Sequence, residues 1–555
     1  MKLSISKHPV LFAILMVLMS AVGAGGQTYS NLYAYPGTNN NTSGITWPSI
    51  LSQGQDGNLY STIQTNGAAN AGSVYKITTS GSYSLLYGFC AEGGHCLTTG
   101  AYPFGGVTLG LDGNLWGTTQ GGGKDGAGTV FKMTPAGTLT TLYSFTNGND
   151  DSAPVFTLLQ GQDGNMYGVS EEQYNGQYGS FFKMSTKGKI SPHPFAYTNG
   201  ASPSLPVQGT DGNFYGTTQV GGDKTCRCGV VYKATAAGKI TVLHYFTGYQ
   251  SSTQYDGSRP IGILVQGSDG NFYGTTYQGG AVNVGTVFKI TPSGSYTLLY
   301  SFGSVAGDGT LPIAGLTLGT DGNFYGVTGN GGTKNTGIIF KITPKGSETL
   351  LYNFCSVSCY DGIYPTTPML QHTNGKFYGN TSGNSLGGAV FYSFDMGLKP
   401  FVQMVLSAGT VGSTVEILGQ GFTGASSVTF NGTPATFKVV SDTYLTAKVP
   451  AGATAGNVSV ATSSGTLASN RVFLVVPTIT SFTPTSGPVG TQVVISGSGF
   501  TGVTSVKFGS KAATFTVNND STITATVPTG AKTGKISATS AGGKATSKTA
   551  FTVTP

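Results

Sequence analysis

Charge is scarce in this chain: 9% of its 555 residues are Asp, Glu, Lys or Arg, histidine occurs five times and tryptophan twice. So few ionisable groups cannot clothe the polar faces of many surface helices, and low charge alongside 11% aromatic residues argues against disorder. Apolar runs of spanning length are missing after the first twenty residues. The six cysteines include no Cys-x-x-Cys pair and have no histidine cluster to join, which sets aside the common zinc frameworks. What the chain has instead is 88 glycines with abundant Tyr, Phe, Thr and Ser, a composition suited to many short strands joined by tight turns.

The N-terminus, MKLSISKHPVLFAILMVLMSAVGAGGQ, places Lys2 and Lys7 before an apolar run from Val10 to Met19 and then small residues. This predicts a secretory signal over residues 1–24 with cleavage after Ala24, and no membrane insertion afterwards. Export makes the cysteines candidate disulfides in three local pairs, Cys90 with Cys96, Cys226 with Cys228 and Cys355 with Cys359. The Cys226-Arg-Cys228 spacing is expected to resist bridging. The formal charge is +7, and its excess sits in residues 477–555, where six lysines face Asp520 alone. No nucleic-acid motif accompanies it, so a nucleic-acid partner is not expected.

A repeat dominates residues 28–398. Its Asp-Gly marker recurs at Asp56, Asp112, Asp163, Asp211, Asp269 and Asp321, and a degenerate seventh copy, TNGKFYG, puts Asn374 in that place. The fullest unit reads GLTLGTDGNFYGVT (315–328), a loop, GIIFKITPKG (337–346) and ETLLYNF (348–354). Asp-Gly between two apolar runs predicts a two-residue hairpin with a primed turn, and Pro-x-Gly a second short turn, giving four strands per unit. Seven such units predict an all-β fold, a seven-bladed β-propeller. The N-terminal YSNLYAY (29–35) aligns with YTLLYSF (296–302) and supplies the strand that the seventh unit lacks, closing the last blade.

The strings DGNFYGTT, GTVFKITPSG and TLLYSF resemble the Gloeo-Verruco repeat of secreted bacterial proteins, the choice-of-anchor family, over residues 28–395. That resemblance implies export and leaves the biochemical role undefined. DGNLWGTT (112–119) is more distantly similar to sensor-type propellers and to streptogramin lyase, but the WFTE-type extension of that enzyme is absent from every unit. From residue 399 a second repeat, offset by 78 residues, matches Gly412, Gly419, Phe422, Phe430 and Pro450 to Gly490, Gly497, Phe500, Phe508 and Pro528. PTITSFTPTSGPVGTQVVISGSGF (477–500) is similar to the IPT/TIG family, implying two immunoglobulin-like β-sandwich domains, 399–476 and 477–555. Residues 400–424 lack the PTSGP segment, leaving the edge of the first module open.

The short turns and the long variable loops are expected on opposite faces, with recognition on the long-loop face. The candidate ligand-binding residues there are Trp47, Glu171, Glu172, Tyr174, Tyr178, Tyr249, Tyr255, Asp256, Arg259, Tyr360, Asp361 and Tyr364, since tyrosine and tryptophan offer a flat apolar face with a polar tip. Asp256, Asp308 and Asp361, in Asp-Gly-x-x-Pro segments, also read as caps of their own loops. The histidines of the mature chain, His95, His193, His244 and His372, do not converge. No catalytic residues, cofactor or metal are assigned; TNGNDDSAP (146–154) carries oxygen ligands of the kind calcium takes, without a spacing that places an ion. These readings favour an exported, non-catalytic adhesion or binding protein of a bacterium, secreted or at the cell surface. Its partner would be an extracellular polysaccharide or a surface protein. The alternatives are a polysaccharide lyase or glycoside hydrolase using loop carboxylates, and a structural matrix protein.

Overall fold

The computed structural model describes residues 21–22, 26–36, 48–65, 70–91, 96–146, 153–171, 178–222, 226–248, 256–356, 358–385 and 387–555. The architecture is all-β and propeller-like, with no α-helix among the described residues and two short 3-10 turns. Of the expected leader, the backbone of Ala21–Val22 alone is described, paired with Thr28 and Tyr29.

Among the described residues the repeat makes seven sheets in sequence order, each built from four antiparallel strands or more, and one small two-stranded sheet of Gly309–Thr310 with Asn330–Gly331. In the sixth, Thr317–Leu318 pairs with Phe324–Thr328, that with Ile338–Ile342, and that with Glu348–Asn353. The two middle strands bury side chains on both faces because a neighbouring sheet covers each side. Apolar clusters join every sheet to the next, as Phe246, Phe272 and Phe288 join the fourth and fifth. A further cluster joins the seventh to the first, through Tyr378 and Phe391 against Leu59 and Tyr75. Thr28–Ala34 pairs with Val390–Asp395, so the N-terminal strand completes the last sheet as the aligned sequences predict.

The Asp-Gly hairpin is wider than predicted. Gly57 N–H donates to Gly54 O at 3.1 Å and Gly54 N–H to Asn58 O at 2.9 Å, enclosing Gln55, Asp56 and Gly57. This is a three-residue type I turn with a bulge, not a two-residue primed turn. Gly57 alone of the three carries positive φ, 74°, where a side chain would be strained. The aspartate side chain ties the turn to the two strands that follow it. Asp211 accepts the Asn213 N–H at 3.1 Å and the Tyr215 hydroxyl at 2.8 Å, and sits 2.9 Å from Lys233 Nζ. Burial alone would raise its pKa, but those hydrogen bonds and the ammonium hold it below the usual range.

In the seventh unit the charges move. Asn374 replaces the aspartate and donates to the Tyr378 hydroxyl, while Lys376 pairs with Asp395 at 3.0 Å. The next domain sits on the turns of this unit and of the first. Phe401 N–H donates to Thr373 O and Gln420 Nε2 to Thr373 Oγ1, and Thr443 Oγ1 donates to Gln55 O at 2.7 Å. Leu418 and Tyr444 complete the apolar cluster between the first two sheets.

Each C-terminal domain is a pair of sheets around its own core. The 78-residue offset persists in the strands, Thr433–Ala435 answering Lys511–Ala513 and Gly456–Thr462 answering Gly534–Ser540. The open edge of the first is filled without PTSGP: Ala408–Thr410 pairs in parallel with Leu474 to Val476, as Ser486–Gly487 does with Thr552 and Val553.

All three cysteine pairs are disulfides. Cys226 and Cys228, for which the spacing predicts resistance, are paired as well, with Arg227 between them at a φ of 56°.

Candidate functional site

Within each unit the chain leaves the outermost strand, crosses to the next sheet and enters its innermost strand through a proline. The residue before that proline takes the left-handed conformation: Tyr102 (φ 60°), Ala153 (54°), Ser202 (53°), Arg259 (54°), Leu311 (56°) and Tyr364 (54°). Its backbone is held from both sides. The Arg259 N–H donates to Cys228 O in the preceding sheet, and its carbonyl accepts the Tyr277 N–H of its own; Leu311 does the same with Val284 and Gly329. A non-glycine residue there costs roughly 1–2 kcal/mol against the right-handed region, and a following proline narrows the choice further.

Ser202, and the prolines that follow Ser202 and Arg259, line a cavity of about 330 Å³. Its lining includes residues at or just past the end of the second strand in four successive units: Gln64 and Gln120 directly after Leu59–Ile63 and Leu115–Thr119, Glu171 just beyond Met166–Val169, and Gln219 near the end of Phe214–Val220. Ser202 and Ser204 add hydroxyls, and Phe104, Val155, Phe156 and Ile261 an apolar wall. Gln120 Nε2 lies 3.4 Å from Glu171 Oε2. Two of the large side chains here stand in solvent, Tyr102 at 45% and Phe104 at 44% exposure, and Tyr364, at the same place in another unit as Tyr102, is 39% exposed. The Arg259 guanidinium lies over the Tyr277 ring at 5.7 Å from its centroid and forms no ion pair among the described residues. The set offers amide and hydroxyl donors and acceptors, one carboxylate, and open aromatic area, a combination suited to a polyhydroxylated ligand.

The sequence candidates divide. Glu171 lines the cavity, and Arg259 and Tyr364 stand at the left-handed positions. Tyr178 is half-buried, its ring 5.1 Å from that of Tyr197 and its carbonyl accepting the Ser202 N–H. Tyr360 is 53% exposed, while its carbonyl accepts Asn31 Nδ2. Asp256 and Asp361 turn inward. Asp256 accepts from the Thr247 N–H and hydroxyl and lies 2.9 Å from His244 Nε2, and Asp361 accepts from Tyr352, Ser356 N–H and Ser356 Oγ. Asp308 does the same for Tyr300 and Gly303 N–H, so the three carboxylates cap equivalent loops. Trp47, Glu172, Tyr174, Tyr249 and Tyr255, like His95, lie outside the described residues, and so do residues 147–152 of the calcium reading at 146–154. Tyr102, Phe104, Leu311 and the three glutamines went unread from the sequence. Aligning the units on the entry proline and on the end of YGTT would have found them.

No group of His, Cys, Asp and Glu able to hold a metal occurs among the described residues, and no helix among them is long and apolar enough to cross a membrane.

No curated protein matches the chain. Among solved structures, a luciferin-regenerating enzyme is 12% identical with a TM-score of 0.36, over 68% of this chain and 98% of that one. The extracellular domain of a hybrid two component system from B. thetaiotaomicron is 10% identical with a TM-score of 0.43, over 89% and 63%. SGBP-B, from a complex xyloglucan utilization locus in Bacteroides uniformis, is 20% identical with a TM-score of 0.15, over 27% and 48%. The model of the IPT/TIG domain matches residues 400–474 and 477–553, and that of the Gloeobacter/Verrucomicrobia repeat matches 18–173 and 153–391. The chain thus belongs to the Gloeobacter/Verrucomicrobia repeat family and carries two IPT/TIG domains after its repeats.

Proposed function

We propose that residues 28–398 close into a seven-bladed propeller, that residues 1–24 direct export, and that the long-loop end binds an extracellular polysaccharide or another envelope component without catalysis. The two IPT/TIG domains, 399–476 and 477–555, hold this end away from the point of attachment. Closure is supported by contacts that repeat between neighbouring sheets and recur between the last and the first: Thr217 Oγ1 donates to Pro260 O at 3.1 Å, and Asn380 Nδ2 to Ser49 O at 3.3 Å.

One observation carries the binding reading: the cavity and its exposed rings lie among the long loops, while the short turns of the first, second and seventh units lie under the first IPT/TIG domain. Three amides, the Ser202 hydroxyl and a carboxylate beside an apolar wall can meet both the hydroxyl edge and the apolar face of a sugar. A glycoside hydrolase would set two carboxylates about 5–9.5 Å apart across the bond, and Glu171 is the one lining the cavity among the described residues.

The test is an array of bacterial and plant polysaccharides, with calcium present, probed with the mature chain while the same wells are assayed for released sugars. Binding without release is the expected result. Release of product would replace the binder with a lyase or hydrolase, and silence in both channels would leave a structural role or a protein partner.

A further inference from the structure

The left-handed position before each entry proline is occupied by a side chain where glycine would sit without strain. The loops themselves use glycine two residues earlier: Gly100, Gly200, Gly257 and Gly362 all have positive φ, and a Cβ on them would strike Thr119, Thr218, Thr276 and Thr381. The backbone bonds already described account for the φ of the second position. They do not account for a tyrosine, an arginine or a leucine there, since the bonds belong to N–H and C=O groups that glycine also has. Strain of this kind concentrates where a side chain is needed for a contact outside the fold.

We propose that Tyr102, Ser202, Arg259, Leu311 and Tyr364 form a recognition collar whose side chains, not their backbone, select the glycan that enters the cavity. This rests on the polysaccharide reading above and adds the residues that choose among sugars. Tyr102 and Tyr364 keep their rings in solvent, as a stacking face must. Arg259 lies on Tyr277 without a carboxylate partner among the described residues; its Nε is buried without a hydrogen-bond partner, so the end of the guanidinium is the part that faces hydroxyl or acidic groups of the ligand. Ala153, the smallest of the series, accepts the backbone N–H of Glu171 on its carbonyl. Because five of the units each contribute one such side chain on a backbone of the same left-handed conformation, specificity changes unit by unit without refolding a loop.

The experiment uses the mature full-length chain and affinity electrophoresis in gels holding dextran, xylan, galactomannan or alginate, with Tm measured on the same samples. Tyr102, Arg259 and Tyr364 are each changed to Gly and, separately, to Ala. We expect the wild type to be retarded by at least one probe and affinity to fall tenfold or more in both members of a pair. The Gly variant should melt at or above its Ala counterpart, because glycine alone relieves the positive φ. Retardation within twofold of wild type in the Gly variants would overturn the collar and leave the polysaccharide reading standing. A Tm in the Gly variants well below wild type would also overturn it, showing side chains kept for packing. A wild-type chain retarded by none of the probes would overturn both readings.

Discussion

Gln53 and Thr373, 320 residues apart in sequence, exchange two hydrogen bonds: Gln53 Nε2 donates to Thr373 Oγ1 at 2.8 Å, and Thr373 N–H donates to Gln53 Oε1 at 3.1 Å. The same stitch joins consecutive units, from Gln208 to the Gln162 N–H, Gln266 to the Thr210 N–H and Gln371 to the Thr320 N–H. What binds neighbours along the chain also binds the first unit to the last.

Changing Gln53 to Ala should therefore cost more than changing Gln266 to Ala. Gln53 is buried, and its loss leaves the buried Thr373 N–H without its acceptor, at a cost of about 2 kcal/mol. The Gln266 bond is exposed, and water replaces it. Thermal unfolding of the two variants checks this; equal losses would show that the first-to-last junction bears no more than any other.

Much of the architecture is legible in the sequence because the repeat is dense in turn residues, and Asp-Gly and Pro-x-Gly mark where strands must reverse. The turn type is not, since the primed-turn reading looks at Asp56-Gly57 alone, whereas Gly54, three residues before Gly57, sets the wider loop. The stitching glutamine was equally visible as Gln-Gly-x-Asp-Gly, but a lone amide two residues before a turn carries no local meaning until neighbouring sheets are known. The collar is hidden for the opposite reason. Its side chains run from Ser202 to Arg259, so residue type does not flag the position, and proline after it argues for extended backbone. Asp256 and Asp361 illustrate a limit of counting polar loop residues: their carboxylates are consumed within the loops that display them.

Asp211→Asn should be nearly silent and Asp211→Ala should not. The Lys233 pair is partly exposed and contributes little, whereas the bonds from Asn213 N–H and the Tyr215 hydroxyl fix the turn. The seventh unit shows that asparagine serves, with Asn374 accepting the Lys376 N–H and donating to Tyr378. We expect a loss below about 0.5 kcal/mol for the amide and about 1–2 kcal/mol for alanine, read from urea unfolding.

His372 should make the protein less stable in mild acid. Its Nδ1 accepts the Asn374 N–H at 3.1 Å, so the ring is neutral and its Nε2–H donates to Gly57 O at 2.9 Å. Burial lowers its pKa, more than the bonds to Gly57 and Asn374 raise it. The unfolded chain binds a proton near pH 6.5 and the folded chain does so only further down, so this contribution is whole above pH 6.5 and is lost as pH falls below it. A His372→Gln variant should show a flatter decline in urea midpoint between pH 7 and pH 5 than the wild type.

Glu416 should act with the opposite sign. It lies on the strand Thr414–Leu418 of the first IPT/TIG domain, its Oε2 buried without a hydrogen-bond partner, where burial first and then the nearby Asp112 carboxylate push its pKa up to about 7. A raised pKa means the folded state holds its proton longer than the unfolded one. The associated stability is present below about pH 4.5 and is lost as pH rises through 7. Glu416→Gln, which keeps the shape without the charge, should stabilise the protein at pH 8 by about 1 kcal/mol once solvent screening of a half-buried group is allowed for, and change little at pH 4. Asp112→Asn should reproduce part of the gain at pH 8, because the aspartate is the second cause of the shift; melting curves of both variants at the two pH values decide it. If Glu416→Gln destabilises at pH 8, the carboxylate is welcome at that junction and the domain docks on it as an anion.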